Sequence, residues 1–371
     1  MGAMMGQTAQ PRVNSGKDDL SGCIDLIRVG TALRENDQRV IRALEARGLD
    51  RGDTRAQEAM STSDFSWMAD TIDRGVKAGY LDEQVPITYP TLGYRRDSRT
   101  FEDANDNEMN AAHEVPRVAE GGEYLPEEPS FSEYTWTMSK FGRSYAVTWE
   151  AWLRDGRDLN MLMRYPEAWG NSVRYTRELL FTRAFCASST LYTSGQGNLA
   201  EASSALASST LQTGINWLRS GPTDPSGNAI AYGGPIYLVV PPALEFTAKT
   251  LVASSVVVGD TDGPANNPLF GAATVIVNHF LPVVDSTNGD TSWYLFAAPR
   301  LRPAVRYGFL NGYEQPEVWV KDSDARRLAN GQDEDPLAGS WANDSIEFKL
   351  RFTFGADEAD YRGSYRATGE S

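Results

Sequence analysis

Catalysis or metal binding needs a poised acid, base, nucleophile or ligand set, and such residues are sparse in this 371-residue chain. Its two histidines, His113 and His279, have no second ligand type beside them at metal spacing, so each reads as a solvated or packed side chain. Cys23 and Cys186 lie far apart and give no CxxC, which reads as two reduced, packed thiols. No HExxH, GxSxG or Walker A stretch occurs. GQGN at 195–198 follows a predicted helix rather than a strand, so it reads as a turn and not as a phosphate cradle. Glu127 and Glu128, and Asp333, Glu334 and Asp335, lack the alternating Asp/Asn, central glycine and distal glutamate of an oxygen cage, and read as solvated acidic loops. The side chains therefore argue for no catalytic, cofactor-binding or metal-binding residue, for no cofactor, and against an enzyme.

The bulk properties point the same way. Fifty acidic against 35 basic residues give a net charge of −15 and a pI near 4.7. Such a chain repels nucleic acid, so any contact with DNA should be loose. Hydrophobic residues at 41% and charged residues at 23% are ordinary for a globular protein. No apolar run approaches the ~18 residues of a spanning helix, and the opening MGAMMGQTAQPRVNSGKDD has no signal-peptide core, so neither membrane insertion nor secretion is expected. At roughly 150 residues per domain the length suggests about two units.

The positioning elements follow from hydrophobic period. Asp18 to Leu49 reads as two short helices broken near Arg34 to Arg39. Phe65, Met68, Ile72 and Val76 mark another helix, capped by Ser63 or Asp64 and stopped by Gly79. VPITYP at 85–90 reads as a short strand and VAEGGEYLPEEPS at 118–130 as an exposed, turn-rich loop. A long helix is expected from Pro166, with Trp169, Val173, Thr176, Leu180 and Ala184 as its apolar stripe and Arg174 and Glu178 off it. A short helix around Ser209 to Leu218, the buried strand PIYLVV, a helix opened by Pro241 and Pro242, and strands AATVIVN and WYLFAA form a compact α/β unit. DSIEFKLRFTFG alternates most cleanly, with Ile346, Phe348, Leu350, Phe352 and Phe354 on one face. It should pair with EVWVKD at 317–322 and with FSEYTWTMSKFGRSYAVTWEAW at 131–152. In that last stretch Tyr134, Trp136 and Met138 share one parity, and Tyr145, Val147 and Trp149 the other. A switch at Phe141 to Arg143 means a hairpin turn or a bulge in one strand, and the local pattern leaves both open.

In order, the acidic loop and ribbon EVPRVAEGGEYLPEEPSFSEYTWTMSKFGRSYAVTWEAWLRDG, the long helix, the GQG-type turn, the inserted unit opened by PIYLVVPPALEFTAKTLV and the strand-rich return resemble a tailed-bacteriophage major capsid protein. VVPPALEFTAKTL, WYLFAAPR and YRGSYRATG look most like the Mu-type major head subunit branch. The resemblance implies an α+β fold of the Hong Kong 97 type: an N-terminal arm with short helices at 1–100, an extended β-loop at 101–147, a peripheral domain with a long spine helix at 148–199, an axial α/β domain at 200–305, and peripheral return strands at 306–371. It implies many copies, as hexamers and pentamers, closing an icosahedral shell around double-stranded DNA. Scaffold, portal and decoration proteins would be further partners. The place would be the virion capsid, assembled in the host bacterial cytoplasm.

Within that frame the expected interface residues are the loop tip, Glu123, Tyr124, Leu125, Glu127 and Glu128, and along the ribbon Tyr134, Trp136, Lys140, Tyr145 and Trp149, since tyrosine and tryptophan dominate interface energetics. Lys140 sits where some relatives carry a cross-linking lysine; here it reads as a plain interface lysine. Because the family's loop tip lies upstream at GGEYLPEEPS, Phe141 to Arg143 reads as a bulge that Gly142 permits. The runner-up reading is an encapsulin-like nanocompartment shell. A more remote one is a carbohydrate-binding or enzymatic β-rich module that uses the aromatic ribbon as a platform.

Overall fold

The computed structural model describes residues 73–82, 84–110, 117–118, 120–124, 130–148, 160–223, 229–258, 264–321 and 340–370. The helices expected before residue 73, Cys23, His113, Leu125, Glu127, Glu128, Trp149 and Asp333 to Asp335 lie outside them. Two compact units emerge. One draws on residues 1–74, 144–165 and 320–348, the other on 75–143, 166–319 and 349–371. In the first unit Tyr145 stacks on Phe348 with centroids 5.4 Å apart, and the Lys321 amide donates to the Glu347 carbonyl at 3.0 Å. The second holds one five-stranded sheet whole, the larger part of another, and most of the long helix.

In chain order the elements begin with α1 (73–81), α2 (Tyr89–Leu92), β1 (Tyr94–Arg95), β2 (Ala104–Asn110), β3 (Ser130–Trp136), β4 (Ser139–Thr148) and the long α3 (Asn160–Phe185). Next come β5 (Leu199–Ala200), α4 (Ser208–Ser220), β6 (Ile236–Val240), α5 (Glu245–Ala253), β7 (Val256–Val258), β8 (Pro264–Asn266), β9 (Thr274–Val277) and α6 (Leu281–Val284). The chain closes with β10 (Trp293–Ala297), β11 (Val305–Gly308), β12 (Glu317–Val320), β13 (Ser345–Glu358) and β14 (Ser364–Ala367). One five-stranded sheet runs β1-β11-β13-β12, with β4 also on β13; the other runs β5-β14-β10-β6-β9. The second sheet therefore takes strands from 199–200 and 364–367, beyond the limits expected for a 200–305 unit. The first takes β1 from the expected arm and β4 from the expected loop.

The alternation of β13 holds: Ile346, Phe348, Leu350, Phe352 and Phe354 are all buried, and β12 and β4 are its partners as expected. Thr353 departs, being buried through its hydroxyl bond to the Tyr313 carbonyl at 3.1 Å. The 85–90 segment is not a strand, because Pro90 stands in the first turn of α2, a position that needs no amide proton.

Helix α3 begins before Pro166, which lies inside it. Its buried face is also wider than the expected stripe. Trp169, Val173, Phe181 and Phe185 are inside, but so are Arg174, Arg177, Glu178 and Thr182, while Thr176, Leu180 and Ala184 are only half-buried. Nor does Gly79 stop α1, which continues past it. A Cβ at Gly170 of α3 would come within 2.3 Å of the Val76 carbonyl oxygen and the Tyr80 nitrogen, and 2.6 Å of the Gly79 carbonyl carbon, so the glycine lets two helix backbones touch.

The parity switch in the ribbon is neither a hairpin nor a bulge at Phe141 to Arg143. Strand β3 pairs with β2, β4 pairs with β13, and the break falls at Thr137 and Met138, where the chain passes from one sheet to another. Phe141 stacks on Phe352, and Tyr145 on Phe348, each pair 5.4 Å apart. Equal spacing on both strands leaves no extra residue between them. Gly142 serves close approach instead, since a Cβ there would meet the Leu350 carbonyl oxygen at 2.6 Å.

Candidate assembly interface

Among the described residues, strands β2 and β3 pair only with each other, from Ala104↔Trp136 to Asn110↔Ser130. A two-stranded ribbon is marginal in water by itself, so its root matters. Trp136 is 3% exposed and lies over the directly paired Gly308 and Gly355. A Cβ at Gly308 would stand 2.9 Å from the Trp136 ring, and one at Gly355 3.3 Å. The two glycines therefore form a floor that only a residue without a side chain can supply. This corrects Trp136 as an interface residue: it is the ribbon's anchor within its own subunit. Met138 is buried beside it.

Polar groups fix the same root. The Thr137 amide donates to Asp357 at 2.8 Å, and its hydroxyl to Asp103 at 2.7 Å. Burial pushes the Asp357 carboxyl above its ordinary value, and the charges of Glu358 and Asp103 add to the shift. Tyr134 is half-buried, with the Arg306 guanidinium 5.0 Å from its ring. Tyr145 is half-buried against Phe348. By contrast Glu120, Glu123 and Lys140 are exposed, and Tyr124 is 86% exposed beside Gly121, whose φ of 80° makes the turn.

What holds the ribbon's platform rigid is the polar face of α3, which sequence reasoning missed. Glu178 accepts the Thr88 amide at 2.8 Å, the Tyr89 amide at 3.3 Å, the Thr88 hydroxyl, and the Asn278 side-chain amide at 3.3 Å. Asn278 also donates to Thr182 at 3.0 Å and accepts the Phe280 amide at 2.8 Å. Burial pushes the Glu178 carboxyl up, opposed by these bonds and by Arg174. The adjacent Arg177 donates to the Tyr80 hydroxyl at 2.6 Å and the Glu314 carbonyl at 2.8 Å, and lies within 5.9 Å of the rings of Tyr80, Phe309, Phe352 and Phe354. Phe181 and Phe185 then link Tyr89 and Tyr307 beside the first sheet to Tyr294 and Phe296 of the second. The missed signal was the charge pair itself, Arg177-Glu178, inside an apolar stripe.

Of the residues first weighed for chemistry, those among the described residues are structural or exposed. GQGN forms a turn after α3, with Gly197 at φ 73° and the Asn198 side chain donating to the Leu191 carbonyl at 2.7 Å. His279 is exposed, and Cys186 is buried 3.5 Å from the Tyr294 hydroxyl. Among the described residues no group of three or more His, Cys, Asp or Glu side chains could hold a metal, and no helix is long and apolar enough to cross a membrane.

Residues 133–367, more than half of the chain, match a family described as phage capsid protein. The chain belongs to the phage capsid protein family. Its fold is mixed α+β, and the capsid protein is a structural subunit of a phage capsid. No curated protein sequence matches it. Solved structures similar to it include the capsid of Ralstonia phage GP4, at 9% identity over 77% of this chain and 92% of that one with a TM-score of 0.49. Mycobacterium phage Adephagia follows at 10% identity, 76% and 88% coverage and 0.47. A virus-like particle from Pyrococcus furiosus has 11% identity, 80% and 98% coverage and 0.40. As a capsid protein it assembles with copies of itself into the virion shell.

Proposed function

We propose that the capsid protein closes an icosahedral head around double-stranded DNA in the host cytoplasm, and that its β2–β3 ribbon is the part that neighbouring copies complete. The observation that carries this reading is the ribbon itself. Among the described residues its two strands pair only with each other, with six residue pairs beyond an anchor at Trp136 that its own subunit buries. Ribbons of this kind gain stability when another surface covers them. The contacting residues are Glu123, Tyr124 and Lys140, exposed on the described part of the ribbon and β4, with Leu125, Glu127, Glu128 and Trp149 as the expected remainder. Tyr134 and Tyr145, half-buried, add partial faces.

The peripheral body is the sheet built on β13 with α3 as its spine, and the axial body is the sheet built on β10. VVPPALEFTAKTL and the C-terminal YRGSYRATG support the Mu-type branch. The negative net charge suits a container that holds DNA loosely, and scaffold, portal and decoration proteins complete the expected partners. Electron microscopy of the purified, concentrated protein tests the assembly. Uniform shells are expected, and monodisperse monomers at every concentration and salt would sink the reading.

A further inference from the structure

The sequence holds Asn-Gly pairs at 288–289, 311–312 and 330–331, and the structure describes the first two. Such a pair can react with itself, because a glycine amide nitrogen has no side chain beside it to shield its approach to the asparagine side-chain carbonyl carbon. How tightly the backbone is held decides whether the two atoms meet. The two described pairs are held in opposite ways.

Asn288 lies in a helix-like turn after α6. Its carbonyl accepts the Thr291 amide at 3.1 Å and the Ser292 amide at 2.7 Å, and its own amide donates to the Asp285 carboxylate at 3.0 Å. The amide of Gly289, a buried residue, donates to the Asp285 carbonyl at 3.0 Å. A Cβ on Gly289 would come within 2.2 Å of that same carbonyl oxygen, so the turn has no slack. The Asp285 carboxylate is in turn paired with Arg366 at 3.2 Å. Several of these bonds must open together before the Gly289 nitrogen can attack.

Asn311 and Gly312 are both exposed, at the tip of a turn. Its flanks are held, with the Asn311 amide on the Ser98 carbonyl and the Tyr313 amide on the Leu310 carbonyl, each at 2.9 Å. Gly312 has a φ of 85° while Asn311 stays outside the left-handed region, which is the pattern of a type II turn. Among the described residues neither the Gly312 amide nor the Asn311 side chain has a hydrogen-bond partner. Nitrogen, carbonyl carbon and water therefore meet in the open.

We propose that Asn311 is a site of spontaneous modification, at which the exposed Asn311-Gly312 turn closes to a cyclic imide and reopens as aspartate or isoaspartate, while Asn288 stays intact. Hydroxide takes the Gly312 amide proton, and the nitrogen attacks Asn311 Cγ. The bond from Cγ to the side-chain nitrogen breaks, and that nitrogen takes a proton from water and leaves as ammonia. Water then adds to one imide carbonyl carbon. Cleavage at Cγ gives aspartate, whereas cleavage at the backbone carbonyl carbon leaves the chain running through Cγ as isoaspartate, one methylene longer. No oxidant or reductant is needed. The lengthened turn has a consequence, because Thr353 donates to the Tyr313 carbonyl at 3.1 Å and the buried Arg177 to the Glu314 carbonyl at 2.8 Å. An added methylene just ahead of these carbonyls displaces them and loosens the Arg177 end of the α3 hub.

The test ages the full-length subunit at neutral pH in heavy-oxygen water, both native and in denaturant, and maps its peptides by mass spectrometry. In denaturant Asn288 and Asn311 should take up the label at similar rates, since glycine follows each. In the native subunit Asn311 should stay within about threefold of its denatured rate while Asn288 slows at least about tenfold, a barrier higher by ~1.4 kcal/mol. Equal native rates at the two sites, or an Asn311 that slows as much as Asn288, would overturn the assignment. Asn311→Gln supplies the second arm, because its longer side chain must close a larger and slower ring. After the same incubation the parent should unfold on the order of 2 °C or more below fresh protein, and Asn311→Gln should not. A parent mostly converted at Asn311 that unfolds like fresh protein, or equal losses in both chains, would overturn the loosening of the hub.

Discussion

The spine helix and the ribbon are both charged, and they treat charge in opposite ways. On α3, Arg174, Arg177 and Glu178 are buried and bonded to groups of their own subunit: Arg174 to the Val85 carbonyl at 2.8 Å, Arg177 to four rings, Glu178 to two segments. On the ribbon and its tip, Glu120, Glu123 and Glu133 stay in solvent. A buried charge is costly unless its partners are held in place, so the helix's charges are committed to the fold. A solvated acid costs nothing to leave open and remains available to a neighbour. The helix makes the subunit, and the ribbon leaves it unfinished.

The sharpest way to break that contrast is Glu178→Ala. It strands the Thr88 and Tyr89 amides and the Asn278 side chain, at about 1–3 kcal/mol per buried donor, so a loss of roughly 4 kcal/mol is expected in denaturant unfolding of the unassembled subunit. A loss below about 1 kcal/mol would mean that water serves these groups and that the hub is not sealed.

Next comes the boundary between the two regions. Trp136→Ala empties the slot over Gly308 and Gly355 and should cost ~3 kcal/mol, within the usual range for a buried tryptophan. Tyr124→Ala should leave stability within about 0.5 kcal/mol, as exposed positions do, while lowering shell yield by electron microscopy. If the two variants behaved alike in unfolding, the anchor would not lie where the ribbon leaves the sheet. Gly170→Ala follows at about 1–3 kcal/mol, because the added methyl meets backbone atoms of α1 that have no free end to swing away. Calorimetry of the unassembled subunit reads both effects.

The same contrast explains what was legible in the sequence. β13 could be read residue by residue because one of its faces is apolar and the other mostly wet, and β6 because it is buried on both. The α3 stripe was misread because Arg174 and Glu178 look like solvent residues, and only the distant Val85, Thr88 and Asn278 make them interior ones. Trp136 was assigned to the interface because an aromatic in a ribbon suits both roles. The glycines that decide between them, Gly308 and Gly355, lie some 170 residues or more away in sequence. The supposed bulge failed similarly: a parity switch records that the chain changes faces, not that it has left one sheet for another. Residues 120–124, within the loop read as exposed, are exposed, since Glu and Gly beside Tyr124 offer little to bury.

A smaller effect probes the hub by pH. Burial raises the Glu178 carboxyl above the ordinary 4.5, so the folded state holds this proton more tightly than the unfolded chain does. The resulting stabilisation is full below about 4.5 and is lost as pH rises through the raised folded value. The unfolding free energy of the parent should therefore fall relative to that of Glu178→Gln as pH rises above about 4.5. A flat difference, or one of opposite slope, would mean that the four bonds to Glu178 outweigh its burial.

Cys186 gives the smallest signal and reports on the helix end alone. It sits at the end of α3 against Tyr294, and burial pushes its thiol up to about 11. At pH 8 only about one thiol in a thousand would then be thiolate, the form that reacts, and access is closed as well. Iodoacetamide should leave the Cys186 peptide unmodified in the native subunit by mass spectrometry and label it promptly in denaturant. The hub and this thiol lie on one helix, so Glu178→Ala should speed native labelling if α3 opens as a unit. Tyr124→Ala should leave the labelling rate unchanged, because nothing at the ribbon tip contributes to the seal. Equal acceleration by both variants would place the ribbon tip in the subunit's own stability and remove the distinction between a committed core and an open arm.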